Sequence, residues 1–144
     1  MQTTRINLAA VATLLLAAAL GCGESHGLVP VSGTVTIDGQ PLTTGQVMVS
    51  PPGQRQSIGP LDGQGRFELT CYKKGDGAPV GTFPVAVMAV EQVGERQLRW
   101  HAPRKYSNEQ QSGLEVTIDG ATDDLAIELT WQGSNHSGPF DEKF

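Results

Sequence analysis

Short runs in which apolar and polar residues alternate recur along this chain, each closed by glycine, aspartate or proline. The stretch Val31 to Pro52, VSGTVTIDGQPLTTGQVMVSPP, sets the pattern. Val31, Gly33, Val35 and Ile37 alternate with Ser32, Thr34, Thr36 and Asp38. A period of two turns one face of a strand to a core and the other to water. Asp38-Gly39 tolerates positive φ, Pro41 interrupts ladder pairing, and Val47 and Val49 then resume the alternation against Gln46, Met48 and Ser50. Pro51-Pro52 ends the run, because neither proline has an N–H to donate. The pattern predicts a β-hairpin over 31–52 with one wet face, as in an antiparallel sheet.

The same grammar continues downstream. Asp62-Gly63-Gln64-Gly65 reads as a tight turn, followed by a strand over Arg66–Cys71 with Phe67, Leu69 and Cys71 inward. Lys73 to Gly77 is a further turn. Thr82 to Val90 (TFPVAVMAV) is apolar on both faces and is expected to be the most buried strand, with Pro84 near its start or at a bulge. Leu114–Asp119 and Leu125–Trp131 alternate cleanly across Gly120–Asp124 and read as a closing hairpin. Residues 132–144 are polar and rich in glycine and serine, which predicts a flexible tail. About seven short strands without a helical period predict an all-β chain, a β-sandwich forming one domain over residues 31–131. A domain of that length can enclose a single two-layer core.

The N-terminus changes the picture. Arg5 is followed by the 13-residue apolar run Leu8–Leu20 (LAAVATLLLAAAL), too short to span a bilayer comfortably. Ala19-Leu20-Gly21-Cys22 resembles a bacterial lipobox, which implies a signal peptide over residues 1–21 and a diacylated Cys22 as the new N-terminus. Ala19 departs from the larger aliphatic residue usual at its position. Residues 22–30 would then form the lipidated cysteine and a short tether, and two acyl chains anchor a protein stably without a transmembrane helix. Gly23 stands where inner-membrane retention commonly uses aspartate, so an exported protein facing the periplasm or cell surface from the outer membrane is expected.

The full chain has a formal charge of −5; removing residues 1–21 takes away Arg5 and no acidic residue, leaving −6. That balance argues against nucleic acid as a partner. With Cys22 acylated, Cys71 has no intramolecular partner and is expected to be a buried, unreactive thiol.

Several motifs together resemble a known family. The pattern V-x-G-x-V-x-x-D-G-x-P-L is carried by Val31, Gly33, Val35, Asp38, Gly39, Pro41 and Leu42. D-G-x-G-x-F-x-L follows at Asp62, Gly63, Gly65, Phe67 and Leu69, and G-x-F-x-V-x-V at Gly81, Phe83, Val85 and Val87. With the later P-x-K-Y-S-N…S-G-L from Pro103 to Leu114, these resemble carboxypeptidase regulatory-like and transthyretin-like domains of small bacterial lipoproteins. The resemblance covers nearly all of residues 31–131. It implies a seven-stranded prealbumin-like (Ig-like) antiparallel β-sandwich serving as an accessory or binding module.

The chemistry-bearing residues are sparse. His26, His101 and His136 fall in the tether, the long connection and the tail, none in a strand beside a serine–aspartate pair. The chain ends Asp141-Glu142-Lys143-Phe144 and lacks the Tyr-Arg-Gly-Ser type of ending that transthyretin-like hydroxyisourate hydrolases carry. No lysine lies in the first hairpin, where an isopeptide staple would require one. Asp119, Asp123 and Asp124 cluster near a turn, where oxygen ligands suit Ca²⁺, although their spacing matches no EF-hand and solvated turn residues look the same. No catalytic residue, resident metal or cofactor is expected.

The stretch Glu91 to Gly113 is the longest connection and carries Arg96, Arg99, Trp100, His101, Arg104, Lys105 and Tyr106 in an otherwise acidic protein. Trp and Tyr faces stack on sugars, and arginine pairs with carboxylate or sulfate. Arg99, Trp100, Lys105 and Tyr106 are therefore the candidate contact residues for a glycan or another envelope protein. The alternative is a crossover whose Trp100 and Tyr106 cover the end of the sandwich while the arginines stay solvated. The expected function is a non-enzymatic, lipid-anchored envelope module that binds or scaffolds a partner. Two other readings stand beside it: a purely structural envelope lipoprotein, or a hydrolase that would need a perturbed His101 or an activated serine.

Overall fold

Most of the alternation marked in the sequence becomes strand, although the run expected over Arg66–Cys71 is strand only from Arg66 to Glu68. A computed structural model describes residues 26–144; Cys22 and the segment before it lie outside the described residues. The first half forms β1 (Leu28–Val29), β2 (Val31–Ile37), β3 (Gln40–Pro41), β4 (Gln46–Val49), β5 (Ser57–Pro60), β6 (Arg66–Glu68) and β7 (Ala78–Pro79). The second half forms β8 (Gly81–Met88), β9 (Val90–Gly94), β10 (Gln97–Trp100), a 3₁₀ turn (Arg104–Ser107), α1 (Glu109–Ser112), β11 (Leu114–Ile118), β12 (Thr122–Leu129) and β13 (Phe140–Lys143).

The chain is all-β and sandwich-like. One sheet places β2 between β12 on one side and the short strands β3 and β6 on the other. The facing sheet has the order β11-β8-β4-β5. Val31, Val35, Phe67, Leu69, Ile127 and Leu129 of the first sheet meet Val47, Val49, Phe83, Val85, Val87, Val116 and Ile118 of the second in one buried cluster. An Ile58–Thr70 bridge links β5 to the stretch after β6. A two-residue ladder, β1 with β7, closes the N-terminal entry.

Several pairings differ from the sequence expectation. The turn at Asp38-Gly39 is present, with φ of 48° and 80°, and joins Ile37 to Gln40. The hairpin over 31–52 nevertheless stops at Pro41: Leu42 buries its side chain, and β4 crosses to the other sheet between β8 and β5. Leu42 N–H still donates to Val35 O at 3.0 Å, but beyond it the edge of β2 is taken by the Gly65 carbonyl and β6. The closing hairpin over 114–131 is likewise absent as such. β11 pairs with β8, while β12 crosses over and runs parallel to β2, from Thr122 opposite Val31 to Leu129 opposite Ile37. The antiparallel expectation therefore fails at this one pairing. Gly33 permits it, since a Cβ there would lie 1.9 Å from the Leu125 carbonyl oxygen.

Phe67, Leu69 and Cys71 are buried as the alternation predicts. In β8, Phe83, Val85 and Val87 enter the core, and Ala86 on the opposite face is buried as well. Pro84 sits one residue beyond the β4 pairing, which ends with Val49 opposite Val85, and its carbonyl still accepts Ser50 N–H at 3.2 Å.

The tail expectation is corrected too. Residues 140–143 form β13 and pair with β10, which also pairs with β9, giving a third sheet of order β13-β10-β9. β9 follows β8 after Ala89 alone, so this sheet grows out of the end of the sandwich.

The registers give the sandwich two poles. At the pole where β1 enters, β2 and β12 start together, and the start of β8 meets the end of β11. The opposite pole carries the Asp38-Gly39 turn, the end of β12 and the departure of β8 into the third sheet.

Candidate functional site

The third sheet and the 3₁₀ turn bring Trp100, Tyr106 and Phe140 together with Arg99, Arg104, Lys105 and Lys143 at the pole opposite β1. In the β10–β13 register, Arg99 faces Asp141 and Trp100 faces Phe140. Arg99 donates from Nε and from Nη2 to the two Asp141 oxygens at 2.7 and 3.1 Å, and Gln97 Nε2 donates to the same carboxylate at 2.8 Å. The hydrogen bond from Arg99 holds the Asp141 carboxyl below its ordinary value, and the same bond raises Arg99. Glu142 bridges two partners: one oxygen accepts Trp100 Nε1–H at 3.0 Å, and the other accepts Arg104 Nη1–H at 2.7 Å.

The aromatic residues pack around Phe140. His136 stacks on it with centroids 3.7 Å apart and planes within 6°. Trp100 is offset-stacked at 6.4 Å, and Trp131 meets it edge-on at 6.3 Å. The Arg104 guanidinium lies 5.2 Å from the Trp100 centroid. Phe140 thus stands where a stacked ligand ring would have to sit.

These facts relocate the four candidate contact residues. Trp100 is buried between β13 and Arg104. Tyr106 belongs to the main core, 4% exposed, and its hydroxyl donates to Thr130 O and accepts Thr130 N–H. Arg99 is half-exposed but committed to Asp141. Lys105 is exposed, with its Nζ 4.9 Å from the Tyr106 ring, and among the described residues it forms no ion pair. Of the four, Lys105 alone presents its charge outward without a carboxylate partner. The others do not form a stacking platform: Trp100 is covered by β13, Arg99 is paired with Asp141, and Tyr106 lies in the core.

A cleft of about 520 Å³ opens between Pro103–Lys105 on one wall and the 133–136 turn with β13 on the other. Lys105 and Arg104 line it with Asp141, Glu142, His136 and Phe140. Charges of both signs beside an aromatic edge suit a polar, charged ligand group or a protein loop, rather than a lipid chain.

Sequence reasoning missed Phe140, Asp141, Glu142 and His136. The available signal was charge complementarity: the acidic pair in FDEKF matches the excess of arginine in the 96–104 segment.

Elsewhere, His101 Nε2 pairs with Glu91 at 3.0 Å across β9 and β10. The Cys71 thiol is buried, 3.6 Å from the Arg55 carbonyl oxygen. Asp124 accepts the Thr122 hydroxyl at 2.7 Å, and among the described residues no group of three His, Cys, Asp or Glu side chains is gathered to hold a metal ion. No protein family, curated protein or solved structure matches the chain.

Proposed function

We propose that this chain is a non-enzymatic, lipid-anchored module of the bacterial cell envelope, built on a prealbumin-like sandwich of the carboxypeptidase regulatory-like kind. Export and acylation at Cys22 fix one pole to the membrane, and the cleft at the other pole takes a glycan or an envelope protein. The carrying observation is polarity: β1 enters at one end of the sandwich, and the sheet β13-β10-β9 with its cleft grows from the other. An anchored protein that must reach a partner needs its contact region away from the lipid.

Lys105 and Arg104 on the cleft wall supply the cationic contacts, and Phe140 with His136 supplies an aromatic edge. Trp100 and Tyr106 support the wall from within. The test is capture from detergent extracts of the producing cell's envelope, with the full lipidated chain as bait beside Lys105→Glu. A glycan or protein retained by the parent and lost with Lys105→Glu, at an unchanged unfolding midpoint, supports the cleft. Identical capture by both baits, or none, leaves the purely structural envelope role in its place.

A further inference from the structure

The tether pole is itself two-sided, and the sheet order explains why. β6 lies on one flank of β2 and β12 on the other; in the facing sheet, β5 and β11 occupy the corresponding edges. The Ile58–Thr70 bridge joins the β5 and β6 flank. Arg55, just before β5, and Tyr72, Lys73 and Lys74, just after β6, therefore share one side of the pole. Asp119, Asp123 and Asp124 follow β11 or open β12, on the other side.

The basic side is where the N-terminus arrives. The His26 ring stacks on Tyr72, centroids 4.3 Å apart, and the Arg55 guanidinium lies 5.4 Å from the same ring. Tyr72 is 49% exposed. Arg55, Lys73 and Lys74 are exposed. Asp76 and Glu68 are the acidic residues on this flank. Asp76 is committed to backbone, accepting N–H from Cys71, Tyr72 and Lys73 at 2.7 to 2.9 Å.

Cys22 precedes His26 by four residues. A chain extends at most about 3.6 Å per residue, so an acylated Cys22 holds His26 within roughly 14 Å of the lipid. An exposed tyrosine beside lysine and arginine matches the chemistry of an anionic membrane interface. We infer that the flank formed by Arg55, Tyr72, Lys73 and Lys74 is a membrane-contact face that docks on anionic phospholipid headgroups when Cys22 is acylated. This rests on the lipid-anchor reading and extends it: the lipid tethers the domain and the flank orients it, with the acidic flank and the cleft turned away.

The experiment uses the full lipidated chain in phosphatidylethanolamine/phosphatidylglycerol vesicles carrying brominated acyl chains, with vesicle flotation measured in parallel. Trp100 and Trp131 lie at the far pole and act as internal controls, and Tyr72→Trp adds a reporter on the flank. His26→Trp, at the position that stacks on Tyr72, is the second reporter if Tyr72→Trp fails to fold. The expected result is a blue-shifted, bromine-quenched component from the reporter and an unquenched parent protein. Adding Lys73→Glu and Lys74→Glu is expected to reduce the quenching several-fold while the protein still floats with vesicles. A floating protein whose reporter is unquenched overturns the contact face and leaves the anchor standing. A protein that does not float overturns the anchor, and the face with it. Equal quenching in pure phosphatidylcholine vesicles overturns the assignment to anionic headgroups.

Discussion

Arg99 on β10 and Asp141 on β13 stand directly opposite each other, 42 residues apart in sequence and joined by hydrogen bonds of 2.7 and 3.1 Å. The pair ties the C-terminal strand to the third sheet and neutralises the charge that makes the 96–106 segment conspicuous in sequence. Both side chains are substantially exposed, so the pair contributes to register more than to global stability. Asp141→Asn is expected to lower the melting temperature only slightly, and raised salt should shrink the difference between parent and variant. A large, salt-independent loss would mean that the strand is held differently.

Phe140 is the stronger fastener, since it contacts Trp100, Trp131 and His136 at once. Phe140→Ala removes a half-buried aromatic side chain and its ring contacts, an expected cost of about 1–2 kcal/mol. Chemical denaturation gives the magnitude. Tryptophan emission should shift to the red in the native baseline, as Trp100 and Trp131 lose their cover.

Acid should act on the same strand. The Arg99 hydrogen bond holds Asp141 below its ordinary 3.8. Burial pushes Asp76 upward, but backbone N–H donors from Cys71, Lys73 and Tyr72 outweigh it and leave that carboxyl lowered as well. A carboxyl depressed by folding contributes fully above its unfolded value, and the contribution is lost as pH falls through the folded value. These two groups therefore predict a flat stability profile from neutrality to about pH 5, and a decline below about pH 4. Asp141→Asn should make that decline shallower. A profile unchanged by the substitution would remove Asp141 from the account.

Gly33 is required by the parallel pairing of β2 with β12. A methyl group at this position would meet the Leu125 carbonyl oxygen at 1.9 Å, and backbone on both sides has little room to retreat. Gly33→Ala is expected to cost at least about 3 kcal/mol, at the severe end of single substitutions. Urea unfolding measures it, and a loss below about 1 kcal/mol would contradict the pairing.

Ser57 makes the opposite prediction. Its hydroxyl is fully buried in β5 and has no hydrogen-bond partner among the described residues. An unsatisfied buried hydroxyl carries a desolvation cost, so Ser57→Ala should stabilise the fold by about 1 kcal/mol. The urea midpoint should rise at an unchanged slope.

The sequence made the strands and turns legible, but not their partners. Alternation identifies Val31, Val35, Phe67 and Leu69 as inward-facing, and Asp38-Gly39 forms the turn its residues favour. A period of two says which face is buried and nothing about which strand lies alongside. Both expected hairpins failed for that reason: β4 and β11 each joined β8, the longest apolar strand available to them. At the site, the 96–106 segment was visible through its arginines and aromatics. Its partner was hidden because Phe140–Lys143 is four residues long and follows a glycine- and serine-rich stretch that resembles a tail. The sign of its charges was the clue that composition alone left unused.

The orientation of the domain, the contact flank and the outward cleft all hang from one proposed modification, the acylation of Cys22. Intact-mass spectrometry of the protein purified from the envelope fraction of a bacterial host tests it most directly. The account predicts a mass for residues 22–144 increased by an acylated glyceryl group on Cys22, abolished by Cys22→Ala. A mature chain that begins at another residue, or one that begins at Cys22 without lipid, would contradict it.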